Sequence, residues 1–128
     1  SHLRQEDLET LPRNVHVTDW IPAHQLGDAV DLAITHGGEG TVQTSCVQGW
    51  PFIGIPLQLE QRFNVQRCVA FGSARLVSQR EARRTDWAEL VRQALADDGM
   101  RSRARRMAGL MEGLDGPGRA AEAICELL

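Results

Sequence analysis

The sequence predicts an α/β fold: a parallel sheet of about four short strands with helices between them, followed by a helical tail. Three observations carry this. Short apolar runs bounded by glycine or proline alternate with segments of helical spacing, the pattern of strand–helix–strand units. A glycine-rich run, Thr35-His36-Gly37-Gly38-Glu39-Gly40-Thr41, joins one such apolar run to a helix start. From residue 85 onward apolar residues recur at helical spacing and no strand pattern returns.

In chain order, residues 1–10 are polar and acidic and read as a lead or the end of a helix. Asn14 to Thr18 alternates Val15 and Val17 and predicts a first strand, which Trp20-Ile21-Pro22 ends because proline cannot continue a ladder. Pro22 to Ala29 is a short helical or turn segment. Asp31 to Thr35 is the second strand, and Thr41 to Gln48 the helix after the glycine run, broken by Gly49-Trp50-Pro51. Phe52 to Ile55 is the third strand, stopped by Pro56. Gln58 to Phe71 places Leu59, Phe63, Val65 and Val69 at mixed helical spacing and closes at Gly72. Ala74 to Val77 is a fourth strand.

The tail predicts three helices. Asp86 to Ala96 carries Trp87, Leu90, Val91, Ala94 and Leu95 on one face, with Asp86 and Glu89 at capping-box spacing. Arg101 to Leu114 carries Ala104, Met107, Ala108 and Met111. Gly116-Pro117-Gly118 breaks it, and Arg119 to Leu128 follows. Residues 11–84 thus form an α/β part, and residues 85–128 helices that pack on its sheet.

Composition narrows the function. The length of 128 residues fits one domain, and the net charge of −3 gives no general case for nucleic acid. All 14 basic residues are arginine, which removes Schiff-base lysine chemistry and the lysine of a P-loop. No apolar run approaches the ~20 residues of a membrane span. Cys46, Cys68 and Cys125 are odd in number and widely spaced, and read as buried reduced thiols of a cytoplasmic protein. No metal-ligand spacing is present. Asp97-Asp98 resembles an acidic metal pair only superficially, and Trp50 and Trp87 read as packing residues.

The glycine run suggests chemistry. The first N–H groups of a helix lack partners and favour an anion, and glycine lets backbone approach it closely. In parallel sheets ligands sit outside the carboxyl ends of the strands. Here those ends are Asp19-Trp20-Ile21, His36-Gly37-Gly38 and Pro56-Leu57-Gln58, all expected on one edge. The combination points to a phosphorylated small molecule.

Taken in order, Leu11-Pro12-Arg13-Asn14-Val15, Trp20-Ile21-Pro22, Thr35-His36-Gly37-Gly38, Gly49-Trp50-Pro51, Pro56 with Glu60-Gln61-Arg62-Phe63-Asn64, and Gly72 resemble the donor-binding half of GT-B glycosyltransferases. Within that fold the likeness is to plant UDP-glycosyltransferases and bacterial antibiotic glycosyltransferases, over residues 11 to about 77. The resemblance implies a Rossmann-like sheet that is the C-terminal part of a donor domain. It implies that Trp20 stacks on the base and the Ile21 backbone pairs with its edge. It assigns the diphosphate to His36, Gly37, Gly38, Gly40 and Thr41, with Asn64 close by, and the sugar hydroxyls to Glu60 and Gln61. The donor would be a UDP- or dTDP-sugar, with no metal or other cofactor. The family's ribose-binding Glu falls at Thr44, its Asp-Gln acid is Glu60, and the Gln that often follows Trp-x-Pro is Ala23.

The acceptor-binding N-terminal domain, which holds the catalytic base in inverting members, has no counterpart here, nor have the first two strands of the donor domain. The strand at Asp31–Thr35 is then expected to have an open edge, covered by the rest of a longer enzyme, by a partner chain or by a second copy. The implied activity is sugar transfer to an acceptor hydroxyl by a parent hexosyltransferase, with this chain inactive alone. Alternatives are a non-catalytic or regulatory nucleotide-sugar-binding module and the donor subunit of a split glycosyltransferase. A non-hydrolysing sugar-nucleotide epimerase shares the fold, but the chain lacks the acidic and basic groups it needs.

Overall fold

The structure, a computed structural model, describes residues 10–127. The lead expected over 1–10 lies, except for Thr10, outside the described residues, as does Leu128. Three strands, β1 (Ala33–Thr35), β2 (Phe52–Gly54) and β3 (Ala74–Leu76), form a parallel sheet in the order β1-β2-β3. Helix α1 (Glu39–Gln48) links β1 to β2, and α2 (Leu59–Phe71) links β2 to β3. The helices α3 (Gln79–Ala82), α4 (Trp87–Leu95), α5 (Asp98–Met111) and α6 (Gly116–Cys125) follow. Single 3-10 turns occupy Ala23–Gln25 and Gly27–Ala29.

The central strand explains the layering. Successive side chains of a strand point to opposite faces, so a strand covered on both sides reads as continuously apolar. Phe52 packs with Val42 of α1, Val65 and Cys68 of α2, and Ala74. Ile53 packs on the other face with Val77 and Ala94, flanked by Trp87, Leu90 and Val91 of α4. Phe52 is 1% exposed and Ile53 0%, and burying each contributes about 2 kcal/mol. Gly54 shares the face of Phe52. A Cβ there would stand 2.5 Å from both γ-carbons of Val65, so glycine lets α2 lie directly on the strand end.

The α/β class stands, with three of the four predicted strands. Asn14–Thr18 is not a strand. It is exposed, and Val15 N–H donates to the Pro12 carbonyl at 2.9 Å in a turn. Alternating valines make a strand only beside another strand, and none flanks this segment among the described residues. The open edge expected on Asp31–Thr35 falls on β1, where Ile34 is half exposed. On α2 the buried positions are Gln61, Val65 and Cys68, whereas Leu59, Phe63 and Val69 face outward. Two of the inward-facing positions were polar or ambiguous by type, which hid the true face.

The tail differs more. Gly116-Pro117-Gly118 is the first turn of α6: Asp115 caps it, accepting from Gly118 N–H at 2.8 Å. Proline fits there because its missing N–H would have no helical partner. Helix α5 begins at Asp98, with Asp97 as its cap accepting from Met100 N–H at 2.9 Å. Asp97 also pairs with Arg75 of β3 at 3.1 Å, which makes it a structural residue. Asp86 caps α4 through Glu89 N–H, but the Glu89 carboxylate turns to Arg92 and Gln93. Helix α4 packs on the Ile53 face of the sheet. Helix α5 packs on α1 instead, and α6 buries no residue. Cys125 is exposed, contrary to the reading of three buried thiols, and Cys46 and Cys68 lie side by side.

Candidate functional site

Parallel strands bring the segments after Thr35, Gly54 and Leu76 to one edge, because these three residues share a register position. The Gly-rich turn leaves β1 there and opens α1. Gly38 is the N-cap of α1, in extended conformation and without a side chain to cap the helix. The first intrahelical bond runs from Val42 N–H to the Gly38 carbonyl at 3.0 Å. The N–H groups of Glu39, Gly40 and Thr41 therefore have no helical partner and no side-chain cap. By contrast Asp86, Asp97 and Asp115 cap α4, α5 and α6 with carboxylates.

Glycine serves three different purposes in the turn. Gly37 has φ +87°, and a Cβ on it would stand 2.5 Å from Val65 Cγ2 and 3.0 Å from the Gln61 carbonyl oxygen. Its requirement comes from helix α2. Gly38 makes room for His36, whose Nε2 would lie 2.7 Å from a Cβ, so the exposed imidazole folds across the start of α1. Gly40 has nothing within 4 Å of a notional Cβ and leaves the helix end open to solvent.

A hydrogen-bonded chain fixes the hydroxyls. Gly37 N–H donates to Thr35 Oγ1 at 3.2 Å, Thr35 Oγ1 donates to Thr41 Oγ1 at 2.9 Å, and Thr41 Oγ1 donates to the Gly38 carbonyl at 2.9 Å. Thr44 Oγ1 donates back to the Gly40 carbonyl at 2.8 Å, one turn into the helix. Asn64 of α2 spends both amide protons internally, one on the Gly37 carbonyl at 3.2 Å and one on Glu60 Oε1. It joins the turn to α2.

The two residues of the Glu60-Gln61 pair part company. Glu60 is exposed at the edge. Gln61 is 8% exposed, and its Oε1 accepts from Leu57 N–H at 2.9 Å and Gln58 N–H at 3.3 Å. It caps the start of α2 with its acceptor turned to backbone. Trp20 is 75% exposed, which rules out a core role, and Thr18 Oγ1 donates to its carbonyl at 2.9 Å. The Ile21 carbonyl accepts from Ala23 N–H at 2.9 Å. Gly37, Gly38, Thr41, Glu60 and Asn64 are thus joined by hydrogen bonds through Thr35, Gly40 lies in the same first turn of α1, His36 stands against Gly38 and the Gln61 backbone against Gly37, whereas Trp20 and Ile21 make no hydrogen bond to this cluster.

Two arginines escaped the sequence reading. Arg62 and Arg80 line a groove of about 340 Å³ with Pro56, Leu57, Gln58 and Gln79, at the carboxyl ends of β2 and β3. Their signal was topological: Arg62 follows Glu60 in the first turn of α2, and Arg80 lies in the short helix α3, which has no long apolar pattern. Trp50 and Trp87 pack as expected, each donating its indole N–H to a carbonyl, of Gly27 at 2.7 Å and of Ala82 at 3.0 Å. Among the described residues no helix is long and apolar enough to cross a membrane, and no cluster of three or more metal-ligating side chains occurs.

A family profile described as the C-terminal domain of erythromycin biosynthesis protein CIII-like proteins matches residues 2–127. The oleandomycin glycosyltransferase of Streptomyces antibioticus is 34% identical over 122 residues, covering 92% of this chain and 27% of the relative. The demethyllactenocin mycarosyltransferase of Streptomyces fradiae is 30% identical, covering 95% of this chain and 26% of the relative. Among solved structures, the calicheamicin glycosyltransferase CalG4 superposes with a TM-score of 0.82 at 28% identity, over 97% of this chain and 32% of that one. The glycosyltransferase VinC, solved in complex with dTDP, shares the fold with a TM-score of 0.78 at 22% identity, over 87% of this chain and 29% of that one. The chain spans about a quarter to a third of the length of these relatives.

Proposed function

The chain belongs to the erythromycin biosynthesis protein CIII-like C-terminal domain family, and on that premise we propose that it is the nucleotide-sugar-binding part of a glycosyltransferase. The observation that carries this is the start of α1, where the N–H groups of Glu39, Gly40 and Thr41 are uncapped beneath the His36 ring. A UDP- or dTDP-sugar would place its diphosphate there, on a helix dipole that favours negative charge. His36 would donate a hydrogen bond, and Thr41 would swing its proton from the Gly38 carbonyl to a phosphate oxygen. Trp20 would stack on the base. Glu60, solvent-facing, would hold sugar hydroxyls.

In transfer, charge develops on the departing diphosphate. Preorganised donors that meet this charge stabilise the transition state more than the ground state. The acceptor hydroxyl and the base that activates it would come from the part of the parent enzyme that this chain does not span. Calorimetric titration of the chain with dTDP and with UDP tests the reading. Binding of either, lost in His36→Ala, is expected; no heat from either at millimolar ligand overturns it.

A second reading is a non-catalytic or regulatory nucleotide-sugar module, or the donor subunit of a split enzyme. It is favoured by Thr44, which donates to its own helix and has no carboxylate to offer a ribose. Activity on reconstitution with an acceptor-binding domain is expected of an enzyme part, split or continuous, and its absence despite nucleotide binding is expected of a non-catalytic module.

A further inference from the structure

Cys46 of α1 and Cys68 of α2 stand with their sulfurs 3.8 Å apart. Neither is among the residues proposed to hold the donor. Both line a groove of about 340 Å³ together with Glu39, Gln43, Asn64 and Arg67, through which Cys46 is partly exposed while Cys68 is 5% exposed, so a small molecule reaches the pair from the Cys46 side. The other side is core: Val42, Phe52 and Val65 surround the thiols. We propose that Cys46 and Cys68 form a dithiol modification site that closes to an intramolecular disulfide on reaction with a low-molecular-weight disulfide.

The chemistry balances within the pair and the reagent. One of the two cysteines, as the thiolate, attacks one sulfur of the reagent, forming a mixed disulfide and releasing the first thiol. The other then gives up its proton and attacks the sulfur of the first, forming the Sγ–Sγ bond and expelling the second thiol, which takes that proton. The two cysteines are oxidised by two electrons, and the reagent disulfide is reduced to two thiols. The attacking group is a thiolate. Burial opposes ionisation of both thiols, and the contact between the sulfurs, in which either S–H can be the donor, stabilises whichever thiolate forms first. Closing the bond brings the sulfurs from 3.8 Å to the ~2.05 Å of a disulfide, between two helices already in contact.

The bond would tie together α1, whose uncapped start carries Glu39, Gly40 and Thr41, and α2, which carries Glu60 and Asn64. This chemistry stands whether or not the nucleotide reading does.

The test is equilibration of the reduced chain with oxidised glutathione, followed by tryptic mapping without reductant. Trypsin cuts after Arg62, Arg67 and Arg75, so Cys46 and Cys68 fall on separate peptides. The expected result is one cross-linked peptide pair, lighter by two hydrogens, with loss of two of the three titratable thiols. Cys125→Ser should retain it, and Cys46→Ser and Cys68→Ser should each abolish it, leaving at most a mixed disulfide. Separate glutathione adducts on Cys46 and Cys68, or intact thiols on both while Cys125 reacts, would overturn the proposal. Mapping of the wild-type chain decides this even where a variant fails to fold.

Discussion

Asn64 donates to the carbonyl oxygen of Gly37 at 3.2 Å and so fastens the turn after β1 to helix α2. Its second proton goes to Glu60. The amide is a positioning group, since both donors are occupied before any ligand arrives. Asn64→Ala should cost about 1 kcal/mol of stability in urea unfolding and weaken dTDP binding as the turn loosens. Asn64→Asp should do worse, because a carboxylate cannot donate to Gly37 and repels Glu60.

Two glycines three residues apart should respond in opposite ways. Gly37→Ala meets Val65 and the Gln61 carbonyl at a positive φ, where an L side chain alone costs roughly 1–2 kcal/mol. Gly40→Ala meets nothing and gains helix propensity of up to about 1 kcal/mol. Thermal melts should fall for the first and hold or rise for the second. Nucleotide titration should weaken for Gly40→Ala, whose new methyl group stands at the open helix end.

The Glu60-Gln61 pair should divide between ligand and fold. Gln61→Ala strips the acceptor from two backbone N–H groups and should cost about 1–2 kcal/mol. Glu60→Ala should leave the melt unchanged and lower affinity for the nucleotide sugar while sparing that for the bare nucleotide. Paired calorimetry with dTDP and a dTDP-sugar separates the two effects.

Trp20 is mostly exposed, so Trp20→Ala should leave stability within error. Its loss should weaken nucleotide binding by about 1–3 kcal/mol if the indole stacks on the base. Quenching of indole fluorescence on adding dTDP, absent in the variant, checks the same contact directly.

Asp97 supplies an acid-sensitive element. The Met100 N–H, and then Arg75, hold its carboxyl below its ordinary value of 3.8. The folded state therefore binds fewer protons than the unfolded state over the interval below 3.8. Its stabilising contribution is complete above that value and is lost as pH falls through the lower folded value. Wild type should lose stability through this window, and Asp97→Asn, which cannot titrate, should show a flatter profile in acid unfolding.

The elements legible from sequence are those whose signals are local. Gly72 marks the end of α2 because it takes a left-handed conformation there, at φ +89°. The apolar run at Phe52–Gly54 announces a strand buried on both faces. What escaped depends on partners. Val15 and Val17 alternate without a strand beside them, and Pro117 reads as a breaker until Asp115 caps the turn. Within the site, residue type located the cluster, but the inward turn of Gln61 and the double donation of Asn64 are set by the packing of α2. The proximity of Cys46 and Cys68 arises only when α1 and α2 meet.

Helix α1 is held in different ways at its two ends. At its close, Gly49 lies so near α5 that a Cβ would touch Ala108 and the Arg105 backbone at 3.3 Å. At its start, ten residues and about 15 Å away, no side chain caps it, and hydrogen bonds from Thr35 to Thr41 and from Asn64 to Gly37 tether it to β1 and α2. A rod seated at its heel by packing and tethered at its tip by hydrogen bonds keeps one aim. The small side chain of Ala108 thereby helps set the direction in which Glu39, Gly40 and Thr41 aim their N–H groups, from the far side of the sheet edge.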